Sequence, residues 1–132
     1  MDWREEYKRK MVSPEEAIKV VKSGDYILFA APDAMAPGLA LASRAEELKG
    51  VKILGGGGGH FPWYEPTWEQ AYPESFQLEV AYVLPMVRGL MTERRADFAL
   101  SGLYGVPDAN ARKPVEVFIV QISPPDEHGF CS

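Results

Sequence analysis

Five short apolar runs, separated by stretches of helical periodicity, constrain this chain more than any other feature. Asp25 to Ala31, Val51 to Leu54, Phe76 to Tyr82, Asp97 to Leu100 and Val115 to Ile122 read as strands. In the third run Phe76, Leu78, Val80 and Tyr82 alternate as one face of a strand does. The other runs are near-continuously apolar, as strands buried on both faces of a parallel sheet are. Between them, Ser13-Pro14-Glu15-Glu16 carries a helix start: Ser13 as N-cap, Pro14 at the first helical position and Glu16 closing a capping box. Ala17, Ile18, Val20 and Val21 supply the buried stripe, and Ser23-Gly24 stops it. Leu39, Leu41, Ala42, Ala45 and Leu48 recur at helical spacing up to Gly50, after a loop or helix start over 32–38. Pro85 opens a further helix with Met86, Leu90 and Met91 on one side. Trp3 and Tyr7, four apart, form an apolar face on a short N-terminal helix. Residues 60–75 and 101–114 read as irregular. The alternation predicts a single α/β domain with an open, largely parallel sheet and helices on both faces.

Charge and composition exclude several functions. With 19 acidic and 14 basic residues the net charge is −5, so the basic stripe that nucleic-acid binding requires is missing. One cysteine forbids an intrachain disulfide framework and fits a reducing cytoplasm. No apolar stretch reaches the roughly 18 residues of a membrane span, and the charged start, Met1 to Tyr7, is unlike a signal peptide. The expected setting is cytoplasmic, with neither membrane nor nucleic acid as partner.

The chemistry-bearing candidates cluster in three places. Gly55 to Gly59 follow a strand, and ligands of parallel α/β sheets bind at the C-terminal strand ends. Bare backbone N–H groups there can converge on a carboxylate, a phosphate or a developing oxyanion. The run is neither a dinucleotide fingerprint nor a P-loop, lacking both the following helical pattern and Gly-Lys-Ser/Thr; the alternative is a linker or close packing of loop on helix. His60 adjoins the glycines, while Phe61-Pro62-Trp63-Tyr64 reads first as a lid over the core or a subunit contact, and second as a pocket wall. Arg94-Arg95 reads as a solvated helix end. Glu5, Glu6, Glu15, Glu16, Glu46 and Glu47 lie on solvated faces, and none stands out as a nucleophile.

The third cluster is Ser123-Pro124-Pro125-Asp126-Glu127-His128-Gly129-Phe130-Cys131-Ser132. Two prolines end the preceding strand, and Asp126 is placed to cap the amides of a turn. A Cys131–His128 nucleophile pair is disfavoured, since residues three apart on an extended segment face opposite ways; a metal site would need His60 as well. Phe130-Cys131 reads as the first step of a new strand, which points to a fragment or to one subunit of something larger.

These motifs together resemble the N-terminal domain of the acetyl-CoA hydrolase/transferase family, which includes 4-hydroxybutyrate and butyryl-CoA:acetate CoA-transferases. The likeness spans essentially the whole chain. It is carried by Trp3, Tyr7-Lys8 and Lys10 before Ser13-Pro14-Glu15-Glu16-Ala17, by Lys22-Ser23-Gly24-Asp25, by Leu41-Ala42, Arg44 and Leu48 before Val51-Lys52-Ile53, and by Arg94-Arg95-Ala96-Asp97. Above all it is carried by the string from Gln121 to Ser132.

The resemblance implies a CoA-transferase-like two-domain enzyme whose halves share an open-sheet fold. It implies a glutamate nucleophile that attacks an acyl-CoA thioester, giving an acyl-glutamyl anhydride and then a glutamyl-CoA thioester that a second carboxylate accepts. That glutamate and much of the CoA surface belong to the C-terminal domain, so no catalytic residue is assigned in this chain. What carries over is pocket lining: Gly56, Gly57, Gly58, Gly59 and His60, the strand-end loop at Ala31-Pro32 with Pro32, and the 126–129 turn with His128. No permanently bound cofactor or metal is implied; the coenzyme A thioester is a substrate. The implied partners are the C-terminal catalytic domain or a second subunit, in a hetero-oligomer, with acyl-CoA and carboxylate as substrates. An acyl-CoA hydrolase subunit, with water as acceptor, and a non-catalytic binding or assembly module on the same fold are the alternatives.

Overall fold

Each apolar run of the sequence becomes a strand, with ends shifted by up to three residues. The computed structural model describes residues 2–30, 34–55, 59–99 and 114–132. Strands β1 (Tyr26–Phe29), β2 (Val51–Gly55), β3 (Phe76–Val80), β4 (Ala96–Phe98) and β5 (Val117–Ile119) form one sheet in the order β4-β3-β2-β1-β5. Every pairing in it is parallel. The helices are α1 (Trp3–Lys10), α2 (Pro14–Ala17), α3 (Met35–Ala42), α4 (Pro66–Ala71) and α5 (Arg88–Thr92). Single 3₁₀ turns at Ile18–Val20, Pro62–Tyr64 and Pro85–Val87 extend α2 and precede α4 and α5. None of these helices is long and apolar enough to cross a membrane.

Local signals account for the boundaries. Ser13 Oγ accepts the Glu16 amide at 3.2 Å, as an N-cap does. The other half of the capping box is absent, because the Glu16 carboxylate turns outward to Lys19. Gly24 ends this segment at φ +86°, a conformation that costs glycine no steric penalty. The 3₁₀ turn rotates the buried stripe: Ile18 and Val21 are buried, whereas Val20, expected inside, is exposed. Likewise Val87 and Leu90 pack inward in the Pro85 segment, and Met86 is exposed. A 3₁₀ turn advances three residues per turn, so a stripe extrapolated at 3.6 lands one residue away.

Register decides which residues share a face. Ile27 pairs with Ile53 and Val117, and Ile53 pairs with Leu78, so side chains of that parity line one face. That face holds the core: Ile27, Phe29, Val51, Ile53 and Ile119 pack with Ile18, Val21, Leu41 and Leu48 and with Phe61 and Trp63. A smaller cluster of Val80, Val87 and Leu90 continues it toward β4. The connections from β1 through β4 all step one way, and right-handed crossovers place them on one face. The single reverse step, from β4 to β5, includes residues 100–113, which lie outside the described residues.

The opposite parity carries Tyr26, Leu28, Lys52, Leu54, Gln77, Glu79 and Phe118. There the Tyr26 hydroxyl donates to Glu79 Oε2 at 2.9 Å, reaching across β2. Burial, and then the Glu79 carboxylate, push the Tyr26 phenol above its ordinary value. The unfolded tyrosine releases its proton first, near pH 10, so above that pH the unfolded state binds fewer protons and stability falls. Tyr26→Phe should therefore make the loss of urea resistance between pH 9 and pH 11 shallower than in the wild type. An unchanged alkaline slope would rule this linkage out.

The aromatic segment departs from its irregular sequence reading. Pro62 and Pro66 each open a helical turn, since proline fixes φ at a value helices use. Phe61 and Trp63 stack at 4.5 Å between centroids and contact Phe29 at 5.4 and 6.0 Å. The segment thus covers the core, as the first of its two sequence readings held.

Candidate functional site

Parallel strands deliver their C-terminal ends to one edge of a sheet, and here three candidate segments leave from that edge. Leu28 pairs with Leu54, and Phe29 with Ile119, so β1, β2 and β5 end side by side. The Ala31-Pro32 loop, the glycine run and the Ser123–Ser132 segment follow these three strands. Pro32, Gly56, Gly57 and Gly58 lie outside the described residues, so only the strand ends that anchor them are placed.

Gly59 and Phe61 are both buried, and His60 between them is exposed. Its backbone is thereby tied to the core while its imidazole stands in solvent. His60 Nε2 lies 3.1 Å from Glu65 Oε1, the residue just ahead of α4. A carboxylate in that position orients the ring. The pair stands on a solvent-facing rim.

The terminal turn is a structural turn, as its residues predict. Asp126 Oδ1 accepts the amides of His128 and Phe130, each at 2.9 Å. Its own amide donates to the Phe130 carbonyl at 2.9 Å. Gly129 sits at φ +88° with the Trp3 ring of α1 against it: a Cβ there would lie 2.8 Å from Trp3 Cγ. The turn is therefore held against α1. His128 is exposed beside Glu127, with Nε2 to Oε1 at 3.4 Å, and Cys131 is exposed. Among the described residues, no three His, Cys, Asp or Glu side chains are grouped to hold a metal ion.

Arg95 differs from the solvated helix end expected of it. Its side chain is 13% exposed, with Nε 2.7 Å from Glu93 Oε2. Nη2 donates to the Tyr64 carbonyl at 2.8 Å. It fastens the aromatic segment to the start of β4 and is occupied by protein acceptors.

Sequence reasoning missed an apolar rim. Met35 and Leu39 on α3, Tyr82, Val83 and Leu84 after β3, Met86, and Phe98 at the end of β4 are all exposed. They follow or end β1, β3 and β4, at the edge from which the glycine run departs. One signal could have found them. The run Tyr82-Val83-Leu84-Pro85-Met86 breaks the strand's alternation and stays apolar where a connecting loop is normally polar. Grooves elsewhere are mixed in charge, such as one of about 480 Å³ lined by Glu15, Lys19, Ala40, Ser43, Arg44 and Glu47.

The whole chain, residues 1–132, matches the family model of the acetyl-CoA hydrolase/transferase N-terminal domain. This chain belongs to that family. Among characterised relatives, 4-hydroxybutyrate coenzyme A transferase of Clostridium kluyveri is 27% identical over 139 residues, which cover 100% of this chain and 31% of that protein. Butyryl-CoA:acetate CoA-transferase of Anaerostipes caccae is 31% identical over 98% of this chain and 30% of its own length. Succinyl-CoA:cyclohexane-1-carboxylate CoA transferase of Geobacter metallireducens is 33% identical over 97% of this chain and 29% of its own. The chain thus spans about a third of the relatives it matches. The crystal structure of RipA from Yersinia pestis superposes on all of this chain and 33% of its own, with a TM-score of 0.80 at 21% identity. That likeness confirms the α/β open-sheet fold, and the family matches that implied by the sequence.

Proposed function

We propose that this chain is the N-terminal part of an acyl-CoA:carboxylate CoA-transferase. A C-terminal domain or second subunit supplies the glutamate nucleophile and most CoA contacts. The observation that carries this reading is the family match over all 132 residues, together with three relatives named as CoA-transferases. In this reading the glutamate carboxylate attacks the thioester carbonyl, and CoA leaves as thiolate from an acyl-glutamyl anhydride. The thiolate then attacks the glutamyl carbonyl, releasing the first acid and leaving glutamyl-CoA. The acceptor carboxylate repeats the two steps in reverse order and departs as the new thioester. An activated carboxylate conserves the thioester's free energy as long as water is kept out.

This chain's share is one wall of the acyl pocket. Its lining in this reading is Gly56, Gly57, Gly58 and Gly59, with Pro32, and a glycine-rich loop is a backbone type that can serve a developing oxyanion. His60, oriented by Glu65, and His128 contribute polar contacts at the same edge, and the exposed rim at 82–84 supplies the apolar wall that excludes water. The setting is cytoplasmic, and the working form is a hetero-oligomer or a longer chain.

The test is turnover of butyryl-CoA with acetate, followed by mass spectrometry of the thioesters. The chain alone should form no acetyl-CoA, and the assembly with its C-terminal part should form acetyl-CoA and butyrate in equal amounts. Robust transfer by the 132 residues alone contradicts the division of labour. Free CoA appearing without a new thioester identifies a hydrolase, and an inert assembly identifies a binding module.

A further inference from the structure

We propose that the Tyr64 hydroxyl, standing beside Gly55 at the end of β2, donates a hydrogen bond to the carboxylate of a short aliphatic acid. The proposal rests on the reading under Proposed function and assigns one residue to recognition of the acid substrate.

Gly55 is a glycine that neither its backbone nor its packing requires. It closes β2, and its φ lies outside the left-handed region that Gly24, Gly50 and Gly129 occupy. It has the parity of Val51 and Ile53, which are buried in the core, so an apolar side chain there would continue their row. There is also room for one. Among the described residues, a Cβ at position 55 would meet one atom within 4 Å, the Tyr64 hydroxyl oxygen at 3.9 Å. Glycine is a poor strand former, and within a strand it often marks a place that a ligand approaches closely. What the missing side chain leaves open is the space beside the Tyr64 hydroxyl, and both residues are half-buried.

The phenol is held in place by its backbone and by its ring. The Tyr64 amide donates to the Phe61 carbonyl at 3.0 Å, and the Tyr64 carbonyl accepts from Arg95 Nη2 at 2.8 Å. The ring meets Phe61 and Trp63 edge-on, at 5.8 and 6.4 Å between centroids, and packs against the cluster of Val80, Val87 and Leu90. Val80 is in register with Gly55, so Tyr64 stands where the glycine run leaves β2 and the apolar rim follows β3. A side chain fixed in this way loses little rotamer freedom when it binds. Its surroundings select the ligand. A carboxylate drawn from water to a place beside Phe61, Trp63 and Val80 needs a donor, and a phenol supplies one while staying neutral. Arg95 is already engaged by the Tyr64 carbonyl and by Glu93 Oε2 at 2.7 Å. Val83 and Leu84, exposed on the rim, suit an alkyl tail, which makes the ligand a short aliphatic monocarboxylate.

The experiment uses the chain assembled with its C-terminal part and follows transfer from butyryl-CoA to acetate. Tyr64→Phe should raise KM for acetate about tenfold or more, the worth of a hydrogen bond to a charged group. Its kcat should change by less than about twofold, since the bond is made to bound acid and not only in the transition state. Gly55→Val, which covers the hydroxyl and favours the strand, should raise KM likewise while the urea midpoint holds or increases. A third measurement needs no turnover: with 3-fluorotyrosine at position 64 of the same assembly, the fluorine resonance should shift and saturate as acetate is added. An unchanged KM in both variants, with a resonance indifferent to acetate, overturns the assignment. A lower urea midpoint in Tyr64→Phe at unchanged KM identifies a structural hydroxyl and overturns it as well. Transfer that is intact without these effects sinks only the role of Tyr64. A resonance that responds to acetate in an assembly unable to transfer sinks only the transferase reading.

Discussion

Phe61→Ala should destabilise the folded chain by about 4 kcal/mol, within the range of about 3–5 for large aromatic truncations in a core. Phe61 is 1% exposed. Its ring stacks on Trp63 at 4.5 Å and meets Phe29 at 5.4 Å and Tyr64 at 5.8 Å. Phe29 and Trp63 are themselves buried, so neither can swing in to fill the space, and most of the cavity remains. Because the ring bridges β1, α3 and the segment after the glycine run, its loss should also loosen the rim on which His60 stands. Urea unfolding measures the effect; a change below about 1 kcal/mol would falsify the packing described.

Gly38→Ala is expected to act at the same contact from the other side. On helix α3 an alanine ordinarily gains about 1 kcal/mol over glycine. Here the added Cβ would lie 2.7 Å from Phe61 Cδ1 and 2.9 Å from Cζ, and closer still to Cε1. Overpacking of that kind costs roughly 1–3 kcal/mol, occasionally more, and the ring's own neighbours leave it nowhere to move. The net expected effect is a loss of about 2 kcal/mol. Combining the substitutions gives the sharper result: in the Phe61→Ala background the methyl enters the vacated space, so Gly38→Ala should turn neutral or stabilising. Such a change of sign is a coupling that residues in direct contact show and distant ones do not. Additive effects would mean that helix and ring do not touch.

The strands were legible because their signal is local. An apolar run of four to eight residues bounded by Gly, Pro or Asp needs no knowledge of its neighbours to be read. Ser13 capping Glu16 and Asp126 gathering the amides of His128 and Phe130 are equally local, spanning two to four residues. Helix faces were less legible where a 3₁₀ turn intervened, as the exposed Val20 and Met86 show. Arg95 was misread because its partner, the Tyr64 carbonyl, is 31 residues away. The same distance in sequence hid the rim at 82–84, whose exposure depends on which elements pack near it.

By itself the sequence determined the class of fold, the parallel sheet and the family. All three follow from local pattern, or from a string as specific as Gln121 to Ser132. Only the tertiary structure decided that the core described here lies on one face, that the aromatics after the glycine run belong to that core, and that β5 pairs with β1 at the end of the strand order among the described residues. Strand order and register are set by which pairings bury the most apolar surface together. That sum runs over the whole chain, so no window of the sequence contains it.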